Sequence, residues 1–534
     1  MPCLHCIGRA LGSKNGVPVR YVNTRKYVFF AGAITALAAA SPLAQAAGLQ
    51  GCSATAKPDV AIEACTALLH NTKALALYRV FAYSNRAHAF LQKKQFGKAI
   101  EDFNRALALK PDSASLYYGR GEVFSEMGDY QRAIEDFSAA IALKPSYADA
   151  WEDRGVARDN KGETRLAIAD FTQSLKLAPS AHAFANRATA YVHMDNRPAA
   201  LADYAKAIEL DPVLAFAYNG RGETYRRMQL LDLAIKDFDR AIAIDPSDAS
   251  AHFNRGIAYD DNGEYDRAIA DYTIAAAAMP NDAEVLNNRG NAYRDKNDFQ
   301  HAFADYDRAI ELNPKLALAF YNRAIAFDDQ GKPDRAIADY TRAIELDPNY
   351  ADAIHNRGNS YRAMGDYDKA IADYTRALEL KPAALTYKTR GKAYHAKGSL
   401  DLALADLNRS AELNDSDADT FYLRGIVYTD KGEFSRAIED FSTAITILPT
   451  WHAPFNGRAW ALFKAGKAAE GLPDAEQSLK LKPNDAYALD TRANIYESLG
   501  HREQAAADFK AALALNPDLR ESREALKRLG ASPE

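Results

Sequence analysis

One proline returns along this chain at a fixed interval. It stands at 111, 145, 179, 212, 246, 280, 314, 348, 382, 449, 483 and 517, with Asp415 filling the single gap, so the period is 34 residues and is shortened to 33 twice. An internal period of this size overrides a domain count based on length. Each period is one supersecondary unit that cannot bury its apolar face alone, so the copies must stack. Setting the proline at position 32 starts units at residues 80, 114, 148, 181, 215, 249, 283, 317, 351, 384, 418, 452 and 486, thirteen repeats over residues 80–519.

Inside each repeat the residues of a helical hairpin can be read. Position 8 is Gly or Ala in every copy, and position 20 is Ala except for Gly471. Two antiparallel helices, A and B, approach closely where side chains are this small. Positions 4, 11 and 24 are mostly large, as at Trp151, Tyr191 and Phe137, and fill the space beside the crossing. Position 15 is Gly in nine copies, which predicts a left-handed residue ending helix A, and the proline at 32 stops helix B. Two charges are invariant: Arg at position 7 and Asp at position 23. Both flank the contact between A and B, which predicts structural ion pairs such as those of Arg289, Asp305, Arg323 and Asp339, formed within a repeat or between neighbours.

This pattern resembles the tetratricopeptide repeat, with a bulky residue at 4, Gly or Ala at 8, Tyr at 11, Ala at 20, an aromatic at 24 and Pro at 32. The resemblance covers residues 80–519 and is to members of a secreted bacterial type. It implies an all-α fold, a right-handed solenoid of helical hairpins with capping helices. Arg at position 7, where the family commonly has Leu, is a departure. So is repeat 12, where Pro473 lies inside helix B and is expected to kink or shorten it, and Ala475 replaces the aromatic.

The ends differ from the array. Arg20, Arg25 and Lys26 precede an apolar run that closes at Pro42 and the small-x-small site Ala44-Gln45-Ala46, so residues 1–46 are expected to be a secretory signal cleaved after Ala46. This directs the chain to the periplasm or the exterior, with no stable membrane span after cleavage. Residues 47–79 form an amino-terminal cap segment in which Ala61–Leu69 matches the helix B half of a repeat. Residues 520–534 supply a carboxy-terminal capping helix and tail. Cys52 and Cys65 are the cysteines left after cleavage and are expected to form a disulfide. A lipoprotein anchored at Cys52, within "LQGC", is the alternative, and a lipidated thiol cannot also be oxidised. The first 46 residues carry five Lys or Arg and no Asp or Glu, so their removal takes the formal charge from -5 to -10, which argues against a nucleic-acid partner.

No catalytic pattern survives inspection: there is no phosphate loop, no nucleophile elbow, and no pair of histidines at i, i+4 among the eleven. The chain is therefore read as a non-enzyme that needs no cofactor or metal. The resemblance places function on the concave wall of the superhelix, made by helix A positions 2, 5, 6, 9, 12 and 13. These positions vary between copies while the scaffold positions do not. The carboxylate clamp of chaperone-binding members needs Lys at 5 with Asn at 9, and no repeat here has both. Asn recurs at position 6, and such amides can pair with an extended peptide backbone without reading its sequence. The expected peptide-binding groove is the wall of repeats 6 to 9: Asp260, Asp261, Asn288, Asn291, Arg294, Tyr321, Asn322, Asp328, Asp329, Asn356 and Asn359. Its acids suggest a basic segment. His355, Arg362, Lys388, Lys392 and His395 in repeats 9 and 10 carry the opposite polarity. The expected function is a non-enzymatic scaffold or adaptor holding protein or peptide segments. The alternative is a solenoid that binds an envelope polysaccharide or organises a secretion machine, with Tyr118, Phe253, Tyr321, Tyr422, Trp460 and Phe463 as candidate aromatic platforms.

Overall fold

A computed structural model describes residues 51–53, 56–70 and 75–531. The expected signal and its cleavage site lie outside the described residues. Every described element of regular structure is an α-helix, and no helix among the described residues is long and apolar enough to cross a membrane. Helix A opens at position 1 of repeats 2 to 13 and runs 13 residues, as in Ala148–Asn160. Helix B opens at position 17 and runs 14 residues, as in Thr164–Leu177. The A helix of repeat 1 is longer, Ala76–Gln92. Within each compact unit, an A helix packs on its own B helix and a B helix on the next A. The chain divides into two compact units, one ending at Lys296 and the other beginning at Asn297, between the two helices of repeat 7.

The crossing of A and B is set by missing atoms. A Cβ built on Gly155 would lie 2.7 Å from the Phe171 ring, and one on Gly256 would lie 2.7 Å from Tyr272. The position-24 ring therefore sits on bare backbone at position 8, and Phe171 and Tyr272 are 0% and 1% exposed. Helix B of repeat 12, Ala468–Leu481, keeps the full 14 residues with Pro473 inside it, so the expected shortening does not occur. Gly471 brings the backbones of that repeat together, 2.9 Å from its Cβ position to the Ala459 carbonyl oxygen, and Ala475 needs no ring space.

At position 15 the backbone is left-handed in all thirteen repeats. Nine are Gly, and the others are Lys94, Asp195, Gln229 and Asn297 with φ between 54° and 61°. A side chain in this region is strained by about 1 kcal/mol. Gln229→Gly is expected to raise stability by about 0.5–1 kcal/mol, the relief of strain exceeding the added entropy of the unfolded chain. The urea midpoint measures it, and a lower midpoint would refute it.

The Arg and Asp rows pair inside the repeat. In twelve repeats among the described residues, Nε and Nη2 of the arginine fork onto the two oxygens of the aspartate sixteen residues later, at 2.6–2.9 Å. Arg323 with Asp339 is one such pair, whereas Arg289 and Asp305 fall on either side of the division between units. The remaining nitrogen, Nη1, reaches position 25 of the preceding helix B: Arg120 to Asn104, Arg154 to Ser138, Arg357 to Thr341, Arg458 to Ser442. Position 7 thus carries Arg because a three-way planar donor joins two helices of one hairpin and the hairpin before it.

The same device reaches the amino-terminal segment. Arg86 Nη1 donates to Thr66 in the helix Pro58–His70. Cys65 in that helix is fully buried and bonded to Cys52, whose carbonyl accepts from Asn85. At the other end Arg520–Arg528 is helical and buries Ser522, Ala525 and Leu526.

Candidate functional site

Neighbouring A helices lie in contact within each compact unit, so positions 2, 5, 6, 9, 12 and 13 of successive repeats share one face. The asparagines at position 6 are drawn into that face. Asn186 donates to Glu152, Asn254 to Asn219 and Asn356 to the Tyr321 hydroxyl, in each case position 6 bonding position 5 of the preceding repeat at 3.0–3.1 Å. Asn254 and Asn322 are 1% and 5% exposed. The amide row thus forms bonds from repeat to repeat, and its surface is small.

In the first unit, Asp261 and Asp260 stand at the carboxyl end of helix A of repeat 6. Asp261 accepts from Nη1 of Arg226, a buried arginine whose other nitrogens fork onto Glu223 at 2.8 and 3.0 Å. Arg227 adds a second cation on Glu223. Burial would push Glu223 up, but the two guanidiniums hold its carboxyl below the usual range. Asn288 and Asn291 are half-buried on the A helix of repeat 7, and Arg294 turns onto its neighbour Asp295 at 2.8 Å.

In the second unit, Asp328 bridges repeats 8 and 9, accepting from the Tyr340 hydroxyl at 3.0 Å and from Ser360 at 2.8 Å. Burial pushes its carboxyl up to about 6, against the hydroxyl bonds and with help from Asp329. Asp329 is exposed. Tyr321 packs against Tyr350 at a tilt, with centroids 4.8 Å apart, and Asn359 accepts from the Tyr374 hydroxyl. Because the folded state binds the Asp328 proton more tightly than the unfolded chain, where the pKa is near 3.8, the residue's contribution to stability falls as pH rises from about 4 through 6. Asp328→Asn is expected to stabilise by about 1 kcal/mol at pH 8 and to lose that advantage at pH 4. Thermal unfolding across this range tests it, and a pH-independent difference would refute it.

The basic stretch of repeats 9 and 10 is balanced from within. Lys388 bonds Asp417 and Asp419, Lys392 bonds Asp419, and His395 meets Asp430 at 2.6 Å. His355 is buried, held down to about 4 by desolvation and by the charge of Arg362. Of the aromatic candidates, Phe253 is 0% exposed and Tyr118 donates to Asp153. Tyr422 packs on Trp451 and Trp460 on Phe463, with centroids 4.6 and 5.3 Å apart. Among the described residues no group of three or more His, Cys, Asp or Glu could hold a metal ion.

The sequence reading overlooked Arg226 and Glu223, and also the carboxylates of repeats 2 to 4 at groove positions. The signal was available in the charge at positions 2, 5, 6, 9, 12 and 13 taken copy by copy.

Comparison with known proteins agrees with this architecture. Tetratricopeptide repeat models match residues 86–150, 181–213, 249–282, 283–316, 317–350, 351–383 and 486–519, and a TPR repeat model matches 228–263 and 391–432. The Hsp70-Hsp90 organizing protein of Triticum aestivum is 33% identical over 110 residues, 21% of this chain and 18% of that protein. Sperm-associated antigen 1 of Mus musculus is 31% identical over 87 residues, 16% of this chain and 10% of that protein. The similarity therefore spans less than a fifth of either relative. Among solved structures, the Cut9-Hcn1 hetero-tetramer of the APC/C aligns with 88% of this chain and 98% of its own at 16% identity and a TM-score of 0.45. Yeast Tom70 aligns with 84% of this chain and 95% of its own at 18% identity and a TM-score of 0.32. With the repeat signature matched in this many segments, the chain belongs to the tetratricopeptide repeat family.

Proposed function

We propose that this protein is a non-enzymatic scaffold whose A-helix wall holds extended segments of partner proteins. The observation that carries the reading is a division of labour. Positions 7, 8, 20 and 23 repeat with almost no change and are consumed by packing and ion pairs, while positions 2, 5, 9, 12 and 13 vary among the copies. A wall that varies on a fixed frame is suited to reading a ligand. In repeats 6 and 7 the groove would present Asp260, Asp261, Asn288, Asn291 and Arg294. In repeats 8 and 9 it would present Tyr321, Asn322, Asp328, Asp329, Asn356 and Asn359, and the acids favour a net-basic segment.

A photo-crosslinking residue at Ile325, position 9 of repeat 8, is expected to capture partner segments, while the same residue at the exposed Glu345 of helix B is not. Adducts confined to helix B would overturn the groove reading. We further propose export with cleavage after Ala46. Intact mass of the exported protein should then start at Ala47 with Cys52 bonded to Cys65, and a diacylglycerol adduct on Cys52 would refute it.

A further inference from the structure

Repeats 1 to 4 carry a different balance of charge on the A-helix face from the repeats after them. At positions 2, 5, 6, 9, 12 and 13 they place six carboxylates, Glu122, Glu126, Asp149, Glu152, Asp153 and Asp159, and no Lys or Arg. The basic groups at these positions are the imidazoles of His88, His182 and His193. Repeat 5 is the contrast, since its Arg226 and Arg227 meet Glu223 of the same repeat, and Arg226 also meets Asp261 of repeat 6.

In repeats 2 to 4 several contacts come from neutral donors and imidazoles. The Tyr118 hydroxyl donates to Asp153 at 2.5 Å, Asn186 donates to Glu152 at 3.1 Å, and His88 Nε2 lies 3.9 Å from Glu122. A neutral donor of this kind brings no positive charge to the carboxylate it meets. Burial and the nearby Asp153 push the Glu122 carboxyl well above its usual range. Asp159 provides an independent sign. Its side chain is 0% exposed, Oδ2 meets Nδ1 of the part-exposed His193 at 2.7 Å, and Oδ1 has no hydrogen-bond partner. An enclosed carboxylate oxygen without a donor is uncommon in folded proteins and calls for one.

We propose that the A-helix face of repeats 2 to 4 binds a lysine- or arginine-rich segment of a partner protein, its cationic heads seated among Glu122, Asp153 and Asp159. A cationic head that displaces the His193 ring supplies the donor Asp159 lacks, and charge-assisted bonds replace the neutral ones. The inference rests on the groove reading above and adds a second, chemically specific part of the same face.

The test is fluorescence anisotropy with a labelled oligolysine peptide and the full chain at low salt, with an oligoglutamate peptide as control. Glu122→Gln with Asp159→Asn is expected to weaken oligolysine binding about tenfold or more, while Glu311→Gln with Glu345→Gln, exposed on helix B, changes it less than about twofold; Asp328→Asn with Asp329→Asn is measured beside them. Should the first pair fail to fold by circular dichroism, Glu126→Gln with Asp149→Asn, nearer the surface, is expected to weaken binding about threefold. Absence of saturable oligolysine binding by the unaltered chain overturns the proposal, as does binding that survives the changes in repeats 2 to 4. Loss only in the Asp328 and Asp329 variant moves the basic segment to repeats 8 and 9 and leaves the groove reading standing. That reading is judged separately by the Ile325 crosslinks.

Discussion

Phe171→Ala is expected to cost about 3–5 kcal/mol, because the ring is fully enclosed and its loss leaves a cavity that two close-packed helices cannot collapse into. The ring lies over Gly155, whose missing Cβ would stand 2.7 Å from it. The reciprocal change, Gly155→Val, should also destabilise, by forcing the helices apart. Urea unfolding of both variants measures the pair. A cost below about 1 kcal/mol for Phe171→Ala would mean that the hairpin is held by something other than this contact.

The second large effect concerns the fork between Arg357 and Asp373. Asp373→Ala removes both acceptors of a guanidinium that is 19% exposed and leaves its charge with Thr341 alone, an expected loss of about 3 kcal/mol. The double variant Arg357→Met with Asp373→Leu should recover most of it, since two apolar side chains leave no stranded charge. If the single and double variants lose equally, the pair contributes through its attraction, and the cost of an orphaned ion is not the main term.

These two contacts were legible in the sequence because their residues recur at fixed positions, Arg and Asp in all thirteen copies and the position-24 ring in eleven, where only packing common to the copies can explain them. The role of Asn at position 6 was not legible. Its amide is spent on position 5 of the repeat before, which is Glu152 in one place, Asn219 in another and Tyr321 in a third. A bond whose acceptor changes with each copy and lies some 34 residues away leaves no period of its own. The left-handed residues Lys94, Asp195 and Gln229 were hidden for the opposite reason: their type argues against the conformation that the surrounding hairpin imposes. Which repeat lends Lys388 its counter-ions could not be read either, because Asp417 and Asp419 precede and open the next helix and look like ordinary cap residues.

Among the described residues the third bond of the position-7 arginines is absent at Arg221 and at Arg492. Arg221 forks onto Asp237, but position 25 of the preceding helix is Ala205, which offers no acceptor. A chain of hairpins pulled from its ends yields at the junction with the fewest cross-links, and within the first compact unit that weak link is the seam between repeats 4 and 5. Under tension the capped segment carrying the acidic face would come away there as one piece, with its own arginine links still made.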